Sequence, residues 1–248
     1  AGILIQIPDA FFRKEASALG FALPAEGHYG IGHIFLPMDE AERAKICDLL
    51  EKIIAEEGQT FLGWRDVPVD NSDLGYSVKP TEPCHRHIFI GRGAACADQD
   101  AFERKLFVIR KRLFNTLFHE DGAMPKGLYV ASMSSRTIVY KGMLLAAQVG
   151  KYLRDPDMVT ALALVHQRFS TNTFPTWRLA HPFRMICHNG EINTKRGNVN
   201  WIQARYSSMK SDLMGDDLKK LWPIAVEGQS DTACFDNALE LLVMGGYS

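Results

Sequence analysis

The 248 residues carry 28 Lys and Arg against 29 Asp and Glu, a net charge of −1, with 46% hydrophobic and 23% charged residues. That balance is ordinary for a soluble globular chain of one large or two small domains, and it makes no case for nucleic acid or an anionic membrane as partner. No apolar run is long enough to span a bilayer, Ala1 opens directly into a strand-like run rather than a signal peptide, and the scattered Cys47, Cys84, Cys96, Cys187 and Cys234 form no CxxC pair, which favours reduced thiols over a metal site.

In chain order, residues 2–7 read as a strand stopped by Pro8, and Asp9 starts a helix to about Leu19. Gly30 to Leu36 is a second strand. Asp39 with Glu42 makes a capping-box start to a helix whose apolar face is Ile46, Leu49, Leu50, Ile53 and Ile54, closed by Gly58. Strands follow near Thr60–Trp64 and His85–Ile90. A long helix from about Asp100 to Phe118 carries Phe102, Leu106, Ile109, Leu113 and Leu117 on one stripe. Leu128–Ser132 and Thr137–Lys141 are expected as a hairpin turned at Ser134-Ser135. Buried strands over 161–168 and 183–188, a helix over 197–209 and a last helix from about Thr232 to Met244 complete the reading. Sheet inside and helices outside imply a layered α/β or α+β domain. The rhythm of residues 30–120 suggests a ferredoxin-like insertion. The chain lacks an initiator Met and ends on a helix end and turn, so it reads as cut from a longer polypeptide at both ends.

Two polar clusters stand where apolar runs end: His166-Gln167-Arg168-Phe169-Ser170-Thr171-Asn172-Thr173 and His188-Asn189-Gly190-Glu191-Ile192-Asn193. Groups carried there sit on a rigid support. An Arg fork matches a carboxylate, and Asn-Gly offers a side-chain amide and an approachable backbone N–H, so together they suit a small amino acid and an oxyanion. Each residue also has a plainer reading. Arg168 would pair with a structural carboxylate, Asn189-Gly190 would be a hairpin turn, and Ser230, Asp231 or Thr232 would cap the last helix. His85 and His87 share a strand face, but no third metal ligand is spaced nearby. His188 is expected to shape the loop beside Asn189, and Trp177 and Trp201 to anchor packing.

These blocks, with Gly2-Ile3-Leu4-Ile5-Gln6-Ile7-Pro8, Gly197-Asn198-Val199-Asn200-Trp201, Gly228-Gln229-Ser230-Asp231-Thr232-Ala233 and Phe235-Asp236-Asn237, resemble the class II (Ntn-type) glutamine amidotransferases. The long Arg168-to-Pro175 run and the GNxNW block narrow the resemblance to the glutaminase domains of glutamate synthases. It implies an α+β fold, the four-layer αββα sandwich of Ntn hydrolases, here as an incomplete type-2 amidotransferase domain over residues 1–248. Within it, Arg168 would bind the glutamine α-carboxylate and Asp231 the α-ammonium, while the Asn189 amide and Gly190 N–H would form the oxyanion hole. The family's nucleophile is a processed N-terminal Cys, and no cysteine here stands in a matching context. Cys187 precedes His188 in an apparent core strand and would be a poor nucleophile. The fragment alone is therefore expected to be inactive, and poorly soluble through exposed sheet edges.

The resemblance further implies that L-glutamine is the substrate and that its ammonia passes to a synthase domain of the same polypeptide. There 2-oxoglutarate becomes glutamate on FMN, with an iron–sulfur cluster relaying electrons from ferredoxin or from a small NAD(P)H-oxidising subunit. No cofactor, metal, nucleic acid or membrane is expected for these residues themselves. The location implied is the cytoplasm, or the plastid stroma in a photosynthetic eukaryote. Two alternatives stand beside this. One is another class II amidotransferase, of the amidophosphoribosyltransferase or asparagine synthetase type. The other is a non-catalytic glutamine-binding scaffold.

Overall fold

The opening apolar run forms β1 (Gly2–Gln6) in the computed structural model, which describes residues 1–121, 124–153, 155, 157–169, 173–190, 192–226 and 229–247. Pro8 ends the ladder and α1 (Asp9–Ala18) follows at once. Every residue of β2 (Tyr29–Leu36) is buried. Asp39 starts α2 (Glu40–Glu56) by accepting the Glu42 N–H at 2.8 Å, as the capping spacing predicts. The middle of the chain adds β3 (Thr60–Asp66), β4 (Cys84–Gly91) and α3 (Gln99–Asp121).

These strands join β5 (Tyr129–Ser134) in an antiparallel sheet of order β3-β4-β2-β5. A second antiparallel sheet has the order β6-β1-β7, from β6 (Thr137–Lys141) and β7 (Ala163–His166). One face of the four-stranded sheet presents Ile34, Leu36, Ile88 and Ile90 to the apolar stripes of α2 and α3, including Leu50, Ile54, Phe102 and Leu106. The other face presents Ile31, Phe35 and Phe89 to Ile5, Ile138 and Tyr140 of the second sheet, with Phe12 of α1 between them. The alternation of side chains along β2 and β4 thus feeds two separate cores.

Three of the strand expectations need correction. The 128–141 hairpin does not pair with itself: β5 lies against β2 and β6 against β1. Ser134 Oγ accepts the Arg136 N–H at 2.9 Å and the Thr137 N–H at 3.2 Å, and Glu103 of α3 takes the Ser135 N–H. The turn satisfies its donors locally and carries the chain from one sheet to the other. The 161–168 run is a strand only over β7, and it is not buried. It is an edge strand in which Val165 is 64% exposed, because among the described residues only β1 pairs with it. Residues 183–188 form no strand. The N–H groups of Met185 and Ile186 both donate to Asp236 Oδ1, at 2.7 and 3.2 Å, so a carboxylate takes the place of a neighbouring strand.

The remaining helices are α4 (Ala146–Tyr152), α5 (Lys195–Ala204) and α6 (Asp231–Met244). The helix expected to reach residue 209 stops at Ala204, where Arg205 O accepts from both Ser208 N–H and Met209 N–H and tightens the chain. Trp177 is a buried anchor, whereas Trp201 is 68% exposed and anchors nothing.

Glu57, just past α2, ties the distant turn at 215–221 to the core. Its buried carboxylate meets Lys105 of α3 (2.9 Å), Arg112 of α3 (2.8 Å) and Lys220 (2.8 Å). Burial opposes the charge, but hydrogen bonds from Lys220, Lys105 and Arg112 prevail and hold the carboxyl at about 2. Glu57→Gln removes the buried carboxylate of this network but leaves Asp217 to Lys105 and Lys220 and Glu56 to Arg112, and is expected to cost about 1.5–2 kcal/mol, read as a shift in the urea midpoint at pH 7.

Candidate active site

The best-built polar cluster surrounds the first turn of α6. Ser230 is the cap: its side chain accepts the Ala233 N–H at 3.1 Å. That leaves Asp231, the next residue, for another task. Its carboxylate is buried and accepts the Thr232 N–H at 2.8 Å and, from the 188–192 loop, the Ile192 N–H at 3.1 Å. A helix N-terminus favours negative charge there.

His188 makes a second tie. Gly190 N–H donates to His188 Nδ1 at 3.0 Å, so Nδ1 is the unprotonated nitrogen. The Nε2–H then donates to Thr232 Oγ1 at 2.9 Å, and that hydroxyl lies 3.3 Å from Asp231 Oδ1. One relay therefore runs from the Gly190 backbone to the Asp231 carboxylate. In this geometry the Gly190 N–H is already committed to His188. The side chain of Asn189 is exposed, and no described residue hydrogen-bonds it.

Behind the loop, Arg184 is buried among acids. It meets Asp236 and Glu240, each at 2.9 Å, and Asn237 Oδ1 at 2.5 Å. Despite burial, the charge of Glu240, then of Asp236, holds its guanidinium firmly protonated. Arg110 of α3 shares Glu240. Sequence reasoning overlooked this network. The signal available was Asp236 and Glu240 at i, i+4 on one face of α6.

Arg168 lies just after β7, with its N–H 3.1 Å from His166 Nδ1. It is exposed, and no described residue forms an ion pair with it. The structure thus ties Asn189-Gly190 to Asp231 by hydrogen bonds and does not bond Arg168 to either. The nearest bridge is a row of rings. His166 and His181 stand 4.6 Å apart, and His181 and His188 6.0 Å apart. His181 is buried with neither ring nitrogen hydrogen-bonded, and desolvation, then the charge of His166, draws it down to about 3. Cys187 is half-buried, and desolvation pushes its thiol up. Ser170, Thr171, Asn172 and Glu191, which belong to the two motifs, lie outside the described residues. His85 and His87 do share a face, packed with His33 inside the inter-sheet core.

The profile of the class-II glutamine amidotransferases matches residues 1–248, and the chain belongs to that family. It is 48% identical over 99% of its length to the NADPH glutamate synthase large chain of Bacillus subtilis, of which it covers 16%. It is 41% identical over 99% of its length to the NADH glutamate synthase of Schizosaccharomyces pombe, covering 12% of that protein. Against the chloroplastic ferredoxin-dependent glutamate synthase 2 of Arabidopsis thaliana the identity is 38% over 99% of the chain and 15% of the relative. The chain therefore spans well under a fifth of the length of these relatives. Among the described residues no helix is long and apolar enough to cross a membrane, and no three His, Cys, Asp or Glu side chains are placed to hold a metal ion.

Proposed function

We propose that these residues form the glutamine-hydrolysing part of a glutamate synthase. The observation that carries the reading is the tie between the Asn189-Gly190 loop and the buried Asp231 carboxylate at the start of α6. Asp231 holds the α-ammonium of glutamine and the Arg168 fork its α-carboxylate, leaving the side-chain amide beside Asn189 and Gly190. A cysteine thiolate supplied outside this stretch attacks the amide carbon. The oxyanion forms against the Asn189 amide and the Gly190 N–H, which leaves His188 to meet it. Ammonia departs with the thiol proton, and water then cleaves the thioester to glutamate. Cys187 does not serve as the nucleophile, since its thiol is held protonated by burial.

The ammonia would pass to a synthase domain of the same polypeptide, and its incorporation into 2-oxoglutarate to give glutamate would draw its electrons there through FMN and an iron–sulfur cluster. The five scattered cysteines here offer no cluster ligands. The electrons come from NADPH, NADH or ferredoxin, the three donors for which the relatives are named. For the fold we propose the four-layer Ntn sandwich. The pairing of two antiparallel sheets through one core supports it. Residues 30–120 would be a ferredoxin-like insertion, supported by the order β3-β4-β2-β5, in which β5 adds a fourth strand, with α2 and α3 on one face.

The test uses the full-length protein, with glutamine or ammonia as nitrogen source. Arg168→Lys and Asp231→Asn are each expected to lower glutamine-dependent kcat/KM by about 10- to 100-fold, chiefly through KM, while ammonia-dependent glutamate formation is unchanged. Unchanged glutamine kinetics in both variants would overturn the assignment. Residues 1–248 expressed alone are expected to release no ammonia from glutamine.

A further inference from the structure

We propose that the cavity between α3, β5 and α6 binds a small carboxylate with an apolar body. The cavity measures about 300 Å³, the lower end of the range for small-ligand sites. Leu113, Phe114, Leu179, Phe183 and Ile224 give it apolar walls, and Arg110, Lys111, Arg178 and Arg184 bring charge to it. None of Arg168, Asn189, Gly190 and Asp231 lines it, so it is separate from the site above.

Among the described residues, the ion pairs of the cavity leave one of its cations without a carboxylate. Glu240 and Asp236 answer Arg110 and Arg184. Among the described residues Lys111 has no carboxylate partner: its ammonium donates to the Pro223 carbonyl and lies 5.1 Å from the centre of the Phe114 ring, although the residue is 5% exposed. A second buried cation, Lys141, stands behind Tyr129 and Phe183. An uncompensated buried charge is costly, and a bound anion removes the cost. Burial, then the charge of Arg110, draws the Lys111 ammonium down to about 7, as expected for a cation lacking its counterion.

The donors point the same way. Tyr129 lines the cavity, and its hydroxyl accepts from Lys141 at 3.4 Å and Arg184 at 3.3 Å. Its own hydrogen has no acceptor among the described residues. The buried Arg110 Nε–H likewise has none. Two idle donors and one unanswered ammonium suit the two oxygens and single charge of a carboxylate. A phosphate would bring more charge and acceptors than this wall can meet. The apolar surface calls for a hydrocarbon body, and the stacked Phe114 and Phe118 rings, with centroids 5.7 Å apart, offer it a flat face.

Calorimetric titration of the full-length protein with 3-phenylpropionate, and with its neutral amide as isostere, tests this. The acid is expected to bind at least tenfold more tightly than the amide. Lys111→Met should weaken the acid at least tenfold and leave the amide unchanged, and Tyr129→Phe should weaken the acid about threefold. Lys111→Met removes an unanswered charge and keeps the apolar stem, so it is expected to fold. Should it not, Tyr129→Phe decides alone. Equal binding of acid and amide, no binding of the acid, or acid binding indifferent to both substitutions would each overturn the proposal.

Discussion

Replacing Asn189 with Ala is expected to lower glutamine-dependent kcat about 10²- to 10³-fold in the full-length protein, with little change in KM. The size of the effect follows from which donors are uncommitted. The Gly190 N–H is held by His188 Nδ1 at 3.0 Å, and this bond must open before that N–H can meet an oxyanion. No described residue engages the Asn189 amide, so it is ready without any rearrangement. Loss of a donor that acts only on the developing charge falls on kcat, whereas loss of Asp231 or Arg168, which grip the unreacting end of glutamine, falls on KM. A rise in KM alone for Asn189→Ala would move Asn189 from oxyanion stabilisation to substrate binding. Ammonia-dependent synthesis serves as the internal control, since it bypasses the amide.

The sequence carried the helices and the clusters better than the pairing of strands. The stripes of α2 and α3 are legible because a helix with one buried face repeats its apolar residues at i, i+3 and i+4, and Leu50, Ile54, Phe102 and Leu106 pack as that spacing demands. The run Phe183–Cys187 shows the limit of the same reasoning. A short apolar run says that a segment is sheltered, not what shelters it. Here Arg184 turns into the acids of α6, and Asp236, some fifty positions away, takes the backbone donors. Local periodicity carries no trace of such a contact. The 128–141 segment failed as a hairpin for a similar reason. Its strand character was correct, but the Ser135 N–H donates to Glu103 of α3, a residue no turn rule includes. At the candidate site, Asn189-Gly190 and Asp231 stood out as motifs. The His188–Thr232 bond that joins them did not, because neither residue type announces a partner.

Lowering the pH from 7.5 to 4.5 is expected to strip much of the stability of this fold, and the buried histidines set the window. The His33 ring lies between the two sheets, with Nδ1 2.6 Å from Val139 O and Nε2 3.1 Å from His85 Nδ1. A carbonyl can only accept, so His33 carries its proton on Nδ1 and His85 donates from its own Nδ1. His85 Nε2 is then a lone pair with no donor. Each ring is neutral, and an added proton would find no acceptor. Desolvation draws His33 down to about 4, against an offsetting bond to Val139 O. It also draws His85 and His87 well down, with His33 nearby adding to the effect, and brings His181 to about 3. In the unfolded chain all four titrate near 6.5. Below that pH the unfolded state binds protons that the folded state refuses, so stability is full above about 6.5 and falls as the pH drops toward the folded values. His33 alone accounts for on the order of 3 kcal/mol by pH 4, a large share of a typical margin of about 5–15 kcal/mol. Glu103 and Asp236 oppose this, since burial raises their carboxyls and the folded state takes up protons there, but they are two groups against four. Glu57 acts in a lower window, between about 4.5 and 2, and leaves the range above it to the histidines. Urea midpoints taken from pH 7.5 to 4.5 are expected to fall steadily below 6.5. His85→Leu, although less stable overall, should show a slope smaller by about one proton. A flat profile across that range would mean that these rings are already charged in the folded state or exposed to water.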